Sequence, residues 1–211
     1  MKMKLESKFI VLDGPDGCGK STQAQLLAGW IQSQGVEVAS FRDPGDTAVG
    51  EKIRRILLDP EHEGLCTPAE LCLYMAARAQ LWQEKISPAL ANGRCVVMDR
   101  WMSSTCAYQG YAGGFGIENV VRMGADCLER LWPDLTVILD VDPATAAGRM
   151  HRRLDRMERK GDEYHRKVRA GFLELSRIYD NVVRLDAMVS IETLGEQVVE
   201  LVLNRLGGQD Q

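Results

Sequence analysis

The chain has 211 residues, 45% of them hydrophobic and 27% charged, with a net charge of −4 and a pI near 5.5. That composition is ordinary for one globular domain with a sizeable core. The acidic sum excludes a general nucleic-acid binder, which needs a basic surface for the phosphate backbone. No apolar run approaches the ~18 residues of a membrane helix, and Met1–Lys8 has no apolar stretch behind its lysines, so it does not read as a secretory signal.

Short apolar runs alternate with longer helical patterns throughout. Strands are expected over 8–13, 37–42, 94–99, 135–141 and 182–186, and helices from near Lys20, Val49, Pro68, Ile117, Pro143 and Asp162, with a last one over 194–206. Continuous apolar runs such as Cys95-Val96-Val97-Met98 are those of buried parallel strands. Alternation with helices implies a five-stranded parallel α/β sheet covered on both faces.

The first strand runs into Gly14-Pro15-Asp16-Gly17-Cys18-Gly19-Lys20-Ser21-Thr22, the G-x-x-x-x-G-K-S spacing of a phosphate-binding P-loop opening a helix. Backbone N–H groups turned inward and the helix N-terminus cradle a polyphosphate. Lys20 would reach the β- and γ-phosphates of ATP, and Ser21 would join a Mg²⁺ shell. Cys18 occupies a helix N-terminus, where a thiol pKa can fall, although it reads as a small residue that fits the loop. The six cysteines form no C-x-x-C pair, as expected of reduced thiols in a cytosolic protein, and the three histidines have no ligand spacing.

The second strand ends in Arg42-Asp43-Pro44-Gly45-Asp46-Thr47, which an open parallel sheet places beside the P-loop, unless this is a plain surface loop. Thr67, Pro68 and Glu70 form a helix start with a capping box. On that helix Tyr74 and Arg78 share a face, suited to stacking on a base and bonding its edge; a core tyrosine beside an exposed charge is the other reading. Asp99, ending the third strand, takes the Walker-B position near Mg²⁺, and Arg100 can face a second phosphate. The polar run after it either lines a pocket or caps a helix.

Residues 149–169 carry a net +5, against −9 for the rest of the chain. Arg149, Arg152, Arg153 and Arg156 follow i, i+3, i+4, i+7 and share one face if the segment is helical. Such a face is either solvated or a lid that brings arginines onto a polyphosphate.

Taken in this order, the P-loop with Asp16, the Arg42-Asp43-Pro44-Gly45 turn, Glu70-Leu71-x-Leu73-Tyr74-x-Ala76-x-Arg78-Ala79-Gln80, Asp99-Arg100 with Tyr108-Gln109-Gly110, and Asp155-Arg156-Met157-Glu158 resemble the thymidylate kinases. The resemblance implies one P-loop kinase domain over 1–211 with a short helical lid near 146–160, a cytoplasmic homodimer binding neither nucleic acid nor membrane, and transfer of the γ-phosphoryl of Mg-ATP to dTMP in dTTP biosynthesis. It gives catalytic roles to Lys20, Arg100, Arg149, Arg152 and Arg153. Gly14, Pro15, Asp16, Gly17, Cys18, Gly19, Lys20, Ser21 and Thr22 would bind ATP, and Ser21 and Asp99 the Mg²⁺, partly through water and phosphates. Asp16 would also bond the deoxyribose 3′-hydroxyl, Arg42 and Arg100 the acceptor phosphate, Tyr74 and Arg78 the thymine. Pro44 would form a cis-proline turn, and Ser104, Thr105, Tyr108 and Gln109 would complete the pocket, Tyr108 crowding C2′. Gly17 stands where one branch of the family has a basic residue, which points to the bacterial type with lid arginines. Asp46 and Trp101 depart from the usual pattern. The rival readings are a kinase for another pyrimidine monophosphate such as dUMP and a non-catalytic P-loop regulator.

Overall fold

A computed structural model describes residues 5–149 and 154–207. Its sheet is parallel throughout, in the order β2-β3-β1-β4-β5: β1 Phe9–Asp13, β2 Val38–Arg42, β3 Cys95–Asp99, β4 Leu135–Asp140 and β5 Val182–Asp186. Successive side chains along a strand point to opposite faces. Phe9 and Val11 therefore enter one apolar cluster, with Val96, Met98 and Ile138, while Ile10 and Leu12 enter another, with Val97, Val137 and Leu139. Burial on both faces explains why these strands are apolar without alternation.

The second cluster is closed by α1, Lys20–Ser33, and α9, Ile191–Leu206. Across the sheet lie α3, Thr67–Leu81, a π-helical continuation over Trp82–Ile86, and α4, Ser87–Ala91. On the same side are α5, Met102–Thr105, its π-helical continuation over Cys106–Ala112, α6, Ile117–Cys127, and α8, Asp162–Ile178. Against α3 packs α2, Ala48–Leu58, which Thr47 caps by accepting from Gly50 N at 2.9 Å. The short α7, Pro143–Gly148, starts on Asp142, which accepts from Thr145 N at 3.0 Å.

One helix is additional to those expected: the polar run after Arg100 is itself helical, over Met102–Ala112. Two expectations are corrected. Thr67 is the first residue of α3 rather than its cap, and no side chain caps that helix, because Glu70 is drawn inward to other partners. The arginine face does not extend along one helix, because α7 ends at Gly148 and residues 156–159 form turns. Arg152 and Arg153 lie outside the described residues.

In register, Leu12 pairs with Asp99 and Asp99 with Arg42, so β1, β2 and β3 end level. Their carboxyl ends deliver Asp13-Gly14, Arg42-Asp43 and Asp99-Arg100 to one crevice, where open parallel sheets bind ligands.

Candidate active site

The P-loop is shaped by its glycines. Gly14 lies at φ +139° with Leu139 O at 2.6 Å from where a Cβ would stand, and Gly17, at φ +78°, abuts the carbonyl oxygen of Ala146 in α7. Position 17 therefore carries no side chain for a steric reason: a Cβ would collide with α7 backbone. Lys20 folds back over the loop, donating to Pro15 O at 2.7 Å, with Cys18 Sγ at 3.6 Å. Burial pushes the Cys18 thiol up, against the lowering a helix N-terminus offers. Ser21 Oγ donates to Asp99 Oδ2 at 2.5 Å.

Behind the loop, buried Asp13 orders the start of α5. Its carboxylate accepts from Gly14 N at 2.8 Å, Ser103 Oγ at 2.5 Å, Ser104 N at 2.9 Å and Ser104 Oγ at 2.6 Å. Arg100, at φ +72°, donates to Ser104 Oγ at 2.9 Å and Gly14 O at 3.2 Å and pairs with Asp16. Its guanidinium lies 5.5 Å from the centre of the Tyr108 ring, whose hydroxyl donates to Asp16 Oδ2 at 2.6 Å. Burial raises the Asp16 pKa, but Arg100, Lys20 and the Tyr108 hydroxyl outweigh it and hold the carboxyl at about 2. Burial and the neighbouring Asp16 push Tyr108 up, so it stays a neutral donor.

One cavity of 970 Å³ runs past these groups. Toward α9 it is lined by Gly17 to Ser21, Thr22, Arg149, Ala187, Val189 and Ile191; toward α3 by Arg42, Pro44, Arg54, Tyr74, Arg78, Ser104, Thr105, Tyr108 and Gln109. Every described residue assigned from the resemblance lines it except Gly14 and Pro15, whose carbonyls hold Arg100 and Lys20 from behind. Arg149 donates to Ala187 O at 3.1 Å. The Asp43–Pro44 peptide is cis.

Arg78 is no exposed charge. It is 1% exposed, with Nε and Nη2 on Asp43 Oδ2 at 2.7 and 2.5 Å and Nη2 on Thr105 Oγ1 at 2.8 Å. Burial pushes Asp43 up even against Arg78. Arg42, by contrast, is half exposed; Nη2 meets Glu51 Oε1 at 2.8 Å, and Asp46 Oδ1 lies 3.8 Å from Nε. Asp46 also accepts from Arg42 N at 2.6 Å and turns the chain at φ +58°, so the unusual acid is built into the turn.

Arg54 and Asp13 lie outside the motifs read from the sequence. Arg54 lines the cavity and donates to Pro44 O at 2.8 Å; burial, with the charges of Arg42 and Arg100 nearby, pulls its pKa down. Asp13 had a signal, an acid ending a strand before the P-loop. Arg156, expected on the lid face, points inward instead, its Nε on Leu57 O at 2.7 Å and its Nη2 on Glu70 at 2.5 Å.

Ser21 and Asp99 supply hard oxygen ligands suited to a divalent cation that also holds phosphate oxygens. No cluster of three or more His, Cys, Asp or Glu side chains that could hold a metal alone occurs among the described residues.

The family model described as thymidylate kinase matches residues 12–198. The chain is 41% identical over 207 residues to a thymidylate kinase of Caldanaerobacter subterraneus subsp. tengcongensis, covering 97% of this chain and 99% of that protein. It is 38% identical over 205 residues to that of an Exiguobacterium species, covering 96% and 97%. Among solved structures it is similar to a crystal structure of thymidylate kinase from Ehrlichia chaffeensis, with TM-score 0.75 and 27% identity over 93% of this chain and 98% of that one.

Proposed function

The chain belongs to the thymidylate kinase family, and we propose that the two halves of its cavity seat ATP over the P-loop and dTMP against α3 and α5. The enzyme transfers the γ-phosphoryl of ATP to dTMP, giving ADP and dTDP. The observation that carries the assignment of halves is the second set of groups beside the P-loop. Arg42, Arg54 and Arg100 gather positive charge where an acceptor phosphate would lie, and Tyr74, Arg78 and Gln109 line the space beyond for a base. A regulator that only bound a nucleotide would have no use for them.

In-line phosphoryl transfer needs little covalent chemistry, so positioning and charge neutralisation carry the rate. Lys20 exchanges the Pro15 carbonyl for phosphate oxygens. Arg42 and Arg100 orient the acceptor phosphate, whose oxygen is already anionic, so no general base is required. Asp16, held ionised by Arg100 and Tyr108, bonds the 3′-hydroxyl of the deoxyribose. Tyr74 stacks on the base. Arg149, with Arg152 and Arg153 outside the described residues, would supply the charge that Gly17 lacks, from a lid near 146–160 on a single kinase domain. Ser21 and Asp99 would hold Mg²⁺, which when bound screens the phosphate charge.

A cytoplasmic homodimer belongs to the same proposal. The exposed apolar Val49 and Ile56 on α2 support a protein partner surface, and no described helix is long and apolar enough to cross a membrane.

The test is product analysis by ³¹P NMR with ATP, Mg²⁺ and dTMP. Equal amounts of ADP and dTDP are expected; ADP and inorganic phosphate without dTDP would refute the reading.

A further inference from the structure

Gln109 lies in the Cys106–Ala112 stretch, 2% exposed, and its side chain lines the α3 half of the cavity. Its Nε2 donates to Glu70 Oε1 at 2.6 Å. Glu70 is itself 1% exposed, and its Oε2 meets Arg156 Nη2 at 2.5 Å and Lys160 Nζ at 3.6 Å. Arg156 is 3% exposed and anchored on Leu57 O.

A carboxylate paired with two cations only accepts hydrogen bonds, so Glu70 decides which end of the Gln109 amide faces it. The NH₂ turns to Glu70 and the carbonyl Oε1 turns away. Among the described residues no donor reaches that oxygen. Reversing the amide would set its oxygen against the carboxylate and strand two N–H donors, a doubly unfavourable exchange in a buried site.

We propose that Glu70 is a positioning residue for base selection: by locking the Gln109 amide, it presents an acceptor to the base edge and so selects 4-oxo pyrimidines, which carry a hydrogen on N3, over 4-amino pyrimidines, which do not. This rests on reading the α3 half of the cavity as the acceptor site. Thymine offers N3–H as a donor and O4 as an acceptor; cytosine reverses both. Arg78, lining the same half, has donors only. Arg78 and Gln109 together thus match thymine and oppose cytosine. The selection acts on N3 and position 4, and is indifferent to the methyl group at C5.

The experiment compares kcat/KM for dTMP and dCMP in the native protein, in Glu70→Gln and in Gln109→Met. Gln at position 70 donates as well as accepts, so the Gln109 amide is no longer held one way round. The dTMP-to-dCMP ratio of kcat/KM is expected to fall about tenfold or more. Equal losses on both substrates, with the ratio unchanged, would mark a merely structural role and overturn the proposal. Removing the counter-ion of Arg156 endangers folding, so Gln109→Met is the second arm. It preserves side-chain length and the Glu70–Arg156 pair while deleting the acceptor, and an unchanged ratio there overturns the proposal whatever Glu70→Gln does. A native protein inactive on dTMP would instead strike down the proposed function, and this inference with it, so the two failures are told apart.

Discussion

Ser21 Oγ lies 2.5 Å from Asp99 Oδ2, joining the first residues of α1 to the end of β3 across 78 residues of sequence. Under the proposed function these two oxygens would hold a divalent cation together with ATP. Asp99→Asn is expected to raise the Mg²⁺ concentration for half-maximal activity about tenfold or more, with excess Mg²⁺ restoring part of the rate, and Ser21→Ala should act in the same direction. A Mg²⁺ titration of activity checks this; unchanged midpoints in both variants would remove these residues from the metal site.

Gly17 abuts α7 backbone at φ +78°. Gly17→Ala must therefore shift the P-loop or α7, and strain of this kind weakens ATP binding by about tenfold or more, while leaving dTMP affinity less affected. Equilibrium binding of the two nucleotides separates the effects. An alanine variant with native ATP affinity would show that the contact yields freely.

The same contact shows what was legible in the sequence and what was not. Gly17 reads as the absence of a charge, yet its steric reason belongs to the chain near Ala146, far away in sequence. The strands were legible because burial on both faces makes them continuously apolar. The helix Met102–Ala112 was not, because one side of it lines a cavity and its polar residues face inward. Glu70 was misread for a related reason. Its spacing from Thr67 suits a capping box, but Gln109 and Arg156, distant in sequence, claim its carboxylate. Tyr74 and Arg78 stand out by motif; Asp43 and Glu70 fall within the same motifs, but the groups they hold, Arg78 and Gln109, lie far away in sequence, as does the start of α5 that Asp13 orders.

Asp16 links the P-loop to Arg100 and Tyr108, and its pKa falls from an ordinary 3.8 to about 2. A carboxyl depressed in the folded state contributes stability that is complete above its unfolded pKa and is lost as pH falls from about 4 through 2. The contribution is on the order of 2 kcal/mol. Unfolding free energies of the native protein and Asp16→Asn should converge over that acid range. A difference independent of pH would contradict the coupling.

Asp46 places a carboxylate beside the guanidinium of Arg42. Asp46→Asn keeps a side chain tolerant of positive φ and removes the competing charge. KM for dTMP should fall by up to about fivefold, the scale of an exposed ion pair, with kcat little changed. A raised KM would mean that Asp46 orients Arg42 rather than opposing the phosphate.

In the proposed function one cavity holds ATP and a 4-oxo pyrimidine deoxynucleotide together. Coupled ADP release across dTMP, dUMP, dCMP, UMP and dGMP, with Lys20→Ala as control, measures this directly. The expected result is highest kcat/KM on dTMP, a large loss on dCMP and dGMP, and turnover lowered about 10²-fold or more in Lys20→Ala. Equal rates on all acceptors, or a Lys20→Ala variant as fast as the native protein on dTMP, would contradict it.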